Sequence, residues 1–451
     1  MGFSLLVDLY ELTMAQSYFI YKPDVRATFD LFVRQLPKNR SYMIACGLED
    51  ILAYIRRLRF SKSDIDYLRT QKIFSNEFLR YLKGFRFRGD ISALPEGTVF
   101  FANQPVLRVS ASIIEAQIIE SFLLNTINLQ TMICSKASRV VHACRGRKAY
   151  DFALRRTHGR DAGIKVSRSA YVAGFNGTSN CIAGKLYAIP VVGTMAHSFV
   201  MSFAKEIDSF LAYSETFPSK TILLVDTYDT EKGVENAISI GVYLRAKGYN
   251  LLGIRLDSGD IVALSKLARK MLDKAGLEQV KIFASGNLDE FKIKELLDQG
   301  ACVDSFGVGT NMGTSIDAPC LDVVYKISEV TDHDGKFLPT MKLSRGKVTY
   351  PGRKQVFRIV DKKGRYKKDI LGLENELIKG KRLLRKVVSR GTVIYKLPTL
   401  KHIRSFTQNS LKGFPESLKE IGAKYDYSVV ISPQLKNLRR KLSRQSEIKQ
   451  R

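Results

Sequence analysis

The chain has 451 residues, 45% of them hydrophobic, which is enough for a large core and for two or three domains. Its 72 Lys and Arg against 44 Asp and Glu give a formal net charge of +28. The sequence has no zinc-finger spacing and no RNP-like aromatic motif, so we expect no nucleic-acid partner. The charge is as consistent with small anionic substrates or a general surface bias.

The six cysteines form no CxxC pair, which favours a reduced compartment over a zinc site or a disulfide framework. The N-terminal sequence shows no basic segment followed by an apolar one, and no apolar run approaches the length of about 20 residues that spans a membrane. We therefore expect a cytoplasmic protein with no membrane partner.

Helices and short strands alternate in the N-terminal part of the chain. Apolar residues at helical spacing predict helices, and strict alternation predicts strands. In chain order we predict a helix in 4–22, a strand in 27–35, helices in 41–56 and 61–84, short strands in 86–110, and a buried helix from Ile113 to Asn128.

The stretch that follows carries the first chemical signal. A small-residue loop runs from Gly174 to Asn180, and Tyr187 to Val192 reads as a strand. Gly193 then permits a turn, Thr194 can cap a helix, and His197 lies in its first turn. A histidine there can act as an acid, a base or a phosphate acceptor, or it can be an ordinary half-buried histidine.

Successive βα units follow His197. Four strands, beginning near residues 221, 251, 281 and 303, are separated by helical patterns, which predicts a parallel sheet. Each strand ends in polar residues or glycine: Asp226 to Asp229, Asp257 to Asp260, Ser285 to Asn287, and Gly307 to Asn311. Because catalytic residues of β/α barrels gather at the carboxyl ends of strands, this set favours a barrel active site over a doubly wound sheet.

The residue types at these strand ends suit a phosphorylated sugar. Carboxylates can hold a ribose diol or a magnesium ion, and glycine turns expose N–H groups to a phosphate. Arg155, Arg156 and Arg255 can add charge-assisted contacts, although a basic loop at 155–159 is also common on solvated surfaces. No GxxxxGK[ST] motif is present, which argues against a P-loop enzyme.

The region after Lys326 is more basic and richer in strands. We predict strands at Lys354–Val360 and Thr392–Lys396, and a charged helix and tail from Gln434 to Arg451.

Six motifs together resemble the nicotinate phosphoribosyltransferase family. They occur in order over about residues 5 to 430, and several are long. The motifs are Asp8-Leu9-Tyr10-Glu11-Leu12-Thr13-Met14, Arg155-Arg156-Thr157-His158-Gly159 with Asp161-Ala162-Gly163, Gly174 to Asn180, Gly193-Thr194-Met195-Ala196-His197-Ser198, Arg255 to Asp260, and Phe306 to Thr310.

The resemblance implies the type II phosphoribosyltransferase fold, an irregular β/α barrel of the TIM type with an α/β domain formed from both chain ends. We expect an N-terminal α/β domain at 1–112, the barrel with the active site at 113–326, and a basic C-terminal region at 327–451 that packs back on the first.

The resemblance also implies an activity. Nicotinate and 5-phosphoribosyl 1-pyrophosphate (PRPP) would give nicotinate mononucleotide and pyrophosphate in NAD biosynthesis, with ATP hydrolysis coupled through a phosphohistidine. Mg²⁺ or Mn²⁺ would be the cofactor, ATP a co-substrate, and a homodimer with its active site at the subunit interface the assembly.

The family's site residues carry over by motif. His197 would be the phosphorylated residue, with Asp226 close to it, and Asp257 would hold the ribose hydroxyls. Tyr10 from the partner subunit and Phe152 would stack on the two faces of nicotinate. The other expected substrate-binding residues are Arg155, Ser179, Arg255, Ser258, Gly259, Ser285, Gly286, Gly307, Gly309 and Thr310.

Three alternatives remain open at this point. Transfer to nicotinamide or quinolinate is one, but Ser179 and the Gly193–Ser198 motif argue against both. Ser179 stands where the nicotinamide-using enzymes carry an acidic residue, and it lacks the charge that would repel an acid. A basic nucleic-acid-binding protein is the second, because of the charge. A catalytically inactive scaffold is the third, against which the intact His197 and Asp257 argue.

Overall fold

The computed structural model describes residues 3–343 and 349–449. The chain divides into two compact units. The terminal unit comprises Met1–Met132, Cys320–Glu420 and Lys424–Arg451, and the central unit comprises Ile133–Pro319 with Ile421–Ala423. Both chain ends thus contribute to one unit, as we expected; the domain boundaries at 112/113 and 326/327 stay predictions.

Helices occur throughout the described chain. In order they are α1 Leu9–Tyr21, α2 Leu48–Arg57, α3 Lys62–Thr70, α4 Asn76–Lys83, α5 Ile113–Ile118, α6 Glu120–Ala143, α7 Arg160–Ala173, α8 Cys181–Tyr187, α9 His197–Met201, α10 Glu206–Thr216, α11 Thr230–Ala246, α12 Ile261–Lys274, α13 Glu290–Asp298, α14 Thr310–Gly313, α15 Leu400–Lys412, α16 Glu416–Lys419 and α17 Pro433–Lys449. Short 3₁₀ turns lie at Leu154–Arg156 and Pro218–Lys220.

Strands belong to both units. In order they are β1 Arg26–Val33, β2 Met43–Ile44, β3 Asp90–Ala93, β4 Val99–Phe100, β5 Pro105–Ser112, β6 Lys148–Asp151, β7 Gly177–Thr178, β8 Ile222–Leu224, β9 Gly253–Leu256, β10 Lys281–Ala284, β11 Ser305–Val308, β12 Val323–Thr331, β13 Phe337–Pro339, β14 Lys354–Val360, β15 Tyr366–Leu373, β16 Lys381–Arg382, β17 Arg385–Ser389, β18 Thr392–Val393 and β19 Val429–Ile431.

The central unit contains a six-stranded parallel sheet in the order β7-β6-β11-β10-β9-β8. The units β8-α11, β9-α12 and β10-α13 follow one another along the chain and place their strands side by side, as the sequence predicts. Within the described residues the outer strand β8 pairs on one side only, and β7 adds only an isolated bridge between Thr178 and Val191, so the sheet is an incomplete barrel. Parallel strands that end at one edge bring their following loops together there.

Two features of the sequence produce these units. Leu224, Ile254 and Ile282 are fully buried, as expected of strands covered on both faces. Each following helix begins with an aspartate that accepts N–H groups of its first turn; Asp260, for example, accepts from Val262 and Ala263 at 3.0 and 3.1 Å. These caps fix the loops between strand and helix.

The terminal unit is built on antiparallel pairing between distant parts of the chain. Its seven-stranded sheet has the order β13-β12-β1-β5-β3-β17-β18, and β14, β15, β16 and β19 form a second sheet. Strand β1 pairs with β5 and with β12, which places Ala27 opposite both Ala111 and Val330. A buried ion pair, Arg358 with Asp369 at 2.8 Å, lies within the second sheet.

Several sequence predictions differ from the structure, and the helical stretch predicted at 61–84 is one of them, since it is divided into α3 and α4. The segment 41–56 contains β2 and α2, because Gly47 at φ 111° separates them, and the predicted helix 113–128 is split into α5 and α6. Tyr187–Val192 is not a strand: α8 ends at Tyr187, and only Val191 forms an isolated bridge, with Thr178. The Asn180 side chain caps α8 by accepting from the Ala183 N–H at 3.2 Å, which favours a helix there.

Two C-terminal predictions agree with the structure over the described residues, whereas the predicted strand Thr392–Lys396 is only Thr392–Val393. Strand β14 has the predicted bounds, and α17 covers most of the predicted charged helix. Residues 450–451 of that predicted tail, 344–348 of the basic C-terminal region and 1–2 of the N-terminal domain lie outside the described residues. No helix within 3–343 and 349–449 has the length and apolarity needed to cross a membrane.

Candidate active site

Two aspartates meet at the carboxyl ends of β8 and β9. Asp226 Oδ2 accepts hydrogen bonds from the Asp257 N–H at 2.7 Å and from the Ser258 hydroxyl at 2.8 Å. Asp226 Oδ1 is buried and has no hydrogen-bond partner in the described structure. One aspartate therefore positions the backbone of the other and keeps a second oxygen available.

Asp257 is held in its charged form. Burial alone would raise its pKa, but the hydrogen bond from the Ser285 hydroxyl and the charge of Arg255 outweigh burial, so the pKa of Asp257 lies below its ordinary value. Arg255 Nη2 lies 2.6 Å from Asp257 Oδ1, and Arg255 Nε donates to Ser285 Oγ at 2.8 Å. Ends of β9 and β10 thus form one charged network.

His197 is the first residue of α9, and its side chain is 40% exposed. Its Nδ1 shares a 3.1 Å hydrogen bond with Thr227 Oγ1, and its Nε2 lies 4.0 Å from Asp257 Oδ2. The predicted cap by Thr194 is wrong: Ala196 precedes the helix, and Thr194 Oγ1 accepts instead from Arg255 Nη1 at 3.2 Å. The His197 ring therefore lies between Thr227 and the Asp257 carboxylate.

An aromatic wall adjoins this network. The guanidinium carbon of Arg255 lies 5.6 Å from the centre of the Phe152 ring, and Phe152 stacks on Phe283 at 6.1 Å with planes 10° apart. At Gly307 a Cβ would approach the Phe152 ring to 2.5 Å. Glycine is therefore required there to accommodate the ring, and the wall suits a flat ring with a negative substituent.

Gly286 closes the loop after β10. Its φ is 91°, and a Cβ would meet the Asp257 carbonyl oxygen at 2.0 Å, so the chain needs glycine here on both counts. Gly259 also has a positive φ, of 77°. Gly309 and Thr310 lie where β11 gives way to α14, and Gly309 approaches the Phe152 backbone. These loops therefore expose backbone atoms at the carboxyl ends of the parallel strands.

A buried carboxylate organises the loop that carries Ser179. Burial raises the pKa of Asp151, whose Oδ2 accepts from the Thr178 hydroxyl at 2.7 Å. The Ser179 N–H donates to the Asp151 carbonyl oxygen at 2.8 Å. Ser179 is half-buried and is fixed at the end of β6 and β7, within the same edge of the sheet.

Two further expected residues are exposed. Arg155 is exposed in the 3₁₀ turn Leu154–Arg156 that follows β6. Tyr10 is in α1 of the terminal unit, and it is 49% exposed.

Comparison with known proteins identifies the family. Three family models match in order: the nicotinate phosphoribosyltransferase N-terminal domain at residues 5–128, the nicotinate phosphoribosyltransferase family at 147–343, and the C-terminal domain at 378–439. The chain is 46% identical to nicotinate phosphoribosyltransferase pncB2 of Mycobacterium tuberculosis, over 96% of this chain and 92% of that protein. The chain belongs to the nicotinate phosphoribosyltransferase family.

Other relatives agree with this assignment. Nicotinate phosphoribosyltransferase of Bacillus subtilis is 37% identical, over 95% of this chain and 93% of its own length. The crystal structure of human nicotinic acid phosphoribosyltransferase superposes with a TM-score of 0.86 at 27% identity, over 97% of this chain and 99% of that one. The predicted α/β fold with an irregular barrel and a domain from both chain ends is confirmed.

Sequence reasoning on this nicotinate phosphoribosyltransferase family member missed three supporting residues. Thr227 binds the imidazole, Asp151 holds the Ser179 loop, and Phe283 backs Phe152. Thr227 directly follows Asp226, so its position next to a strand end was a usable signal. The roles of Asp151 and Phe283 depend on which strands become neighbours, which no local pattern specifies.

One oxygen in the site fits a divalent cation. Asp226 Oδ1 is a buried carboxylate oxygen without a partner, and carboxylate oxygens are the ligands that Mg²⁺ prefers. A separate group of possible ligands within the described residues, Asp332, His333 and Asp334, lies in the exposed turn between β12 and β13. There Asp332 Oδ1 already accepts the Asp334 and Lys336 N–H groups, as in an ordinary turn.

Proposed function

We propose that this chain transfers the phosphoribosyl group of PRPP to nicotinate in the cytoplasm. The ring nitrogen forms a bond to C1 of the sugar while the bond from C1 to the pyrophosphate oxygen breaks. Nicotinate mononucleotide and pyrophosphate are released, as a step of NAD biosynthesis or salvage.

The observation that carries this proposal is the network of His197, Asp257, Arg255 and Ser285 at the strand ends of a family member. It combines a held carboxylate, a guanidinium over an aromatic ring and a histidine within 4.0 Å of the carboxylate. A P-loop or metal-hydrolase site would present different groups.

The residues divide between the two halves of the substrate pair. Phe152 and Arg255 offer a ring face and a positive charge to nicotinate, and Ser179 adds a polar contact without a repelling charge. Asp257 accepts hydrogen bonds from the ribose hydroxyls, and the loops after β10 and β11 offer N–H groups to the 5′-phosphate. The cation-like sugar at C1 is then stabilised by nearby carboxylates.

We propose that His197 is phosphorylated by ATP. Thr227 holds Nδ1, so an Nδ1–H tautomer donating to Oγ1 leaves the Nε2 lone pair to attack the γ-phosphorus. The bond from that phosphorus to ADP breaks, and water later releases phosphate. Asp257 near Nε2 stabilises positive charge on the ring during these steps.

A bound Mg²⁺ or Mn²⁺ would neutralise the pyrophosphate as it leaves, and Asp226 and Asp257 are the residues that would hold it. Asp226 Oδ1 is the oxygen that is free to do so in the described structure. The chain's own contribution is to keep both carboxylates in place through Ser258, Ser285 and Arg255.

We propose a homodimer as the active assembly, with Tyr10 of each chain completing the other chain's nicotinate site. Its exposure on α1 and its position in the Asp8–Met14 motif support this. An exposed ring beside a flat ligand adds stacking area.

Base specificity tests the proposed function. Purified protein is incubated with PRPP, Mg²⁺ and either nicotinate or nicotinamide, and the mononucleotide is quantified chromatographically. We expect product from nicotinate only. Product from nicotinamide alone would mean that the Phe152 site selects the amide, and the function would have to be reassigned.

A further inference from the structure

Two adjoining pockets in the terminal unit lie outside every residue assigned above. The larger one has a volume of about 230 Å³ and is lined mainly by apolar residues, among them Leu48, Leu397, Ile403 and Phe406. The smaller one, about 20 Å³, is lined by Arg358, Lys381, Arg382 and Arg385. Pro95, Arg385 and Phe406 line both, so the two pockets adjoin each other.

The cations of the smaller pocket differ in how they are neutralised. Arg358 is paired with Asp369 through two hydrogen bonds, at 2.9 and 2.8 Å. In the part of the chain that the structure describes, Lys381 and Arg385 form no ion pair with a carboxylate. Lys381 and Arg385 are both solvent-exposed, and partial burial together with the charges of Arg385 and Arg358 lowers the pKa of Lys381.

The larger pocket has the size and the walls for a flat ring. An engineered apolar cavity of about 150 Å³ binds benzene, so a pocket of about 230 Å³ has room for a larger ring system. Phe406 and Tyr395 provide aromatic faces, and the Lys381 ammonium lies 5.9 Å from the Phe406 ring centre. The buried Glu96 in this pocket already accepts the Gly47 N–H at 2.7 Å.

We propose that these pockets form one binding site for an aromatic organic phosphate, with its ring in the larger pocket and its phosphate at Lys381 and Arg385. Two adjacent unpaired cations match a phosphate, which carries about −1.5 to −2 charges, better than a carboxylate. The smaller pocket admits a group about the size of one water, so a phosphate oxygen enters it while the rest of the group stays at its mouth.

This site accounts for part of the excess positive charge that the active site does not use. It lies entirely within the terminal unit, whereas His197, Asp257 and their partners belong to the central unit. The proposal is therefore independent of the proposed transferase function.

Calorimetric titration of the full chain with 1-naphthyl phosphate tests the proposal. We expect saturable binding to the wild type that is stronger than binding of inorganic phosphate or of uncharged 1-naphthol. Replacing Lys381 and Arg385 together by Gln should weaken this binding roughly tenfold or more. Lys379→Gln removes an exposed charge two residues away and should leave it unchanged.

The active site requires its own control, because it also binds phosphates and rings. Asp257→Asn should keep the naphthyl phosphate binding that the Lys381/Arg385 variant loses. Neither lysine nor arginine here belongs to the catalytic machinery, so normal transferase activity of that variant verifies its fold. Equal binding by wild type and variant, no saturable binding, or inorganic phosphate binding as tightly as the probe would overturn the proposal.

Discussion

His197 has two ring nitrogens in different surroundings, and this difference makes its role testable. Nδ1 is bound to Thr227, whereas Nε2 faces the Asp257 carboxylate. We expect His197→Ala to abolish the stimulation of product formation by ATP while slow, uncoupled transfer remains, because the residues that bind the two substrates are untouched.

The measurement is the initial rate of nicotinate mononucleotide formation with and without ATP. His333→Ala is a matched control, since that histidine lies in an exposed turn of the terminal unit. Full ATP stimulation in His197→Ala would remove the phosphohistidine from the mechanism.

Ser179 is the residue that distinguishes an acid from an amide in this account. Its backbone is fixed by the Asp151 carbonyl, so a new side chain at 179 keeps its location. Ser179→Asp should raise the KM for nicotinate roughly tenfold or more through charge repulsion, and Ser179→Asn should do so much less. The measurement is the KM for nicotinate of the wild type and of both variants. Identical KM values in the three proteins would show that Ser179 does not lie near the carboxylate of bound nicotinate.

A buried ion cluster connects three elements of the central unit. Lys136 Nζ of α6 lies 2.7 Å from Glu290 of α13 and 2.8 Å from Asp317, and Arg139 binds Glu290 at 3.0 Å. The side chains of Lys136 and Glu290 are fully buried. Removing Glu290 would take the paired carboxylate from the buried Arg139 and leave Lys136 with Asp317 alone.

We therefore expect Glu290→Gln to lower the free energy of unfolding by about 3–5 kcal/mol in urea denaturation. Glu295→Gln on the same helix removes an exposed partner of Lys292 and should cost less than about 1 kcal/mol. Equal losses in the two variants would show that the buried cluster contributes no more than a surface pair.

Helix α1 carries a carboxyl group whose titration should affect stability. Burial raises the pKa of Glu11 from its ordinary value of 4.5 to about 7, although Ser121 donates to it at 2.8 Å. Because the folded state binds this proton more tightly than the unfolded state, the contribution of Glu11 to stability falls as the pH rises from about 4.5 through 7.

Glu11→Gln should remove this dependence, so its stability relative to the wild type increases from pH 4.5 to pH 8. Thermal unfolding across that range is the measurement, with the exposed Glu420→Gln as control. Parallel curves for wild type and Glu11→Gln would contradict the shifted pKa.

At the scale of the whole molecule, the proposed shared site predicts complementation between inactive chains. In a mixed dimer, Tyr10→Ala of one chain and His197→Ala of the other fall in the same site, so the second site keeps both wild-type residues. Random co-assembly should restore roughly a quarter of wild-type activity.

Co-expressed chains carrying His197→Ala and Asp257→Asn provide the control. In each site, His197 and Asp257 come from the central unit of one and the same chain. A mixed dimer therefore has one site without His197 and one site without Asp257, and neither is intact. If the mixture of Tyr10→Ala and His197→Ala chains regains no more activity than this control, Tyr10 does not contribute to the site of the other subunit.

Much of the fold could be predicted because its signals are local. The buried runs of β8, β9 and β10 are bounded by polar residues, so their strands and the helices between them were predicted in order. The predicted strand at Tyr187–Val192 failed because an apolar composition cannot distinguish a strand from a helix end followed by one bridge. In the segment 41–56, which was predicted to be a helix, Gly47 was the residue that indicated a break between β2 and α2.

The sequence predicts which residues lie together in the site, but it does not predict the contacts between their side chains. Asp226, Asp257 and Ser285 end successive strands, and parallel pairing brings them together. Which Asp226 oxygen is occupied, and that Thr227 binds His197, depend on side-chain rotamers and on strand register. Such features follow from packing between elements, which the sequence pattern of one element does not contain.

The most direct measurement is the formation of nicotinate mononucleotide from nicotinate and PRPP by the purified wild-type chain, with and without ATP. The account predicts product that increases with ATP and that is absent when nicotinamide replaces nicotinate. Absence of product from either base would contradict it, and a salt titration of nucleic-acid binding would then test the basic-protein alternative against an inactive scaffold.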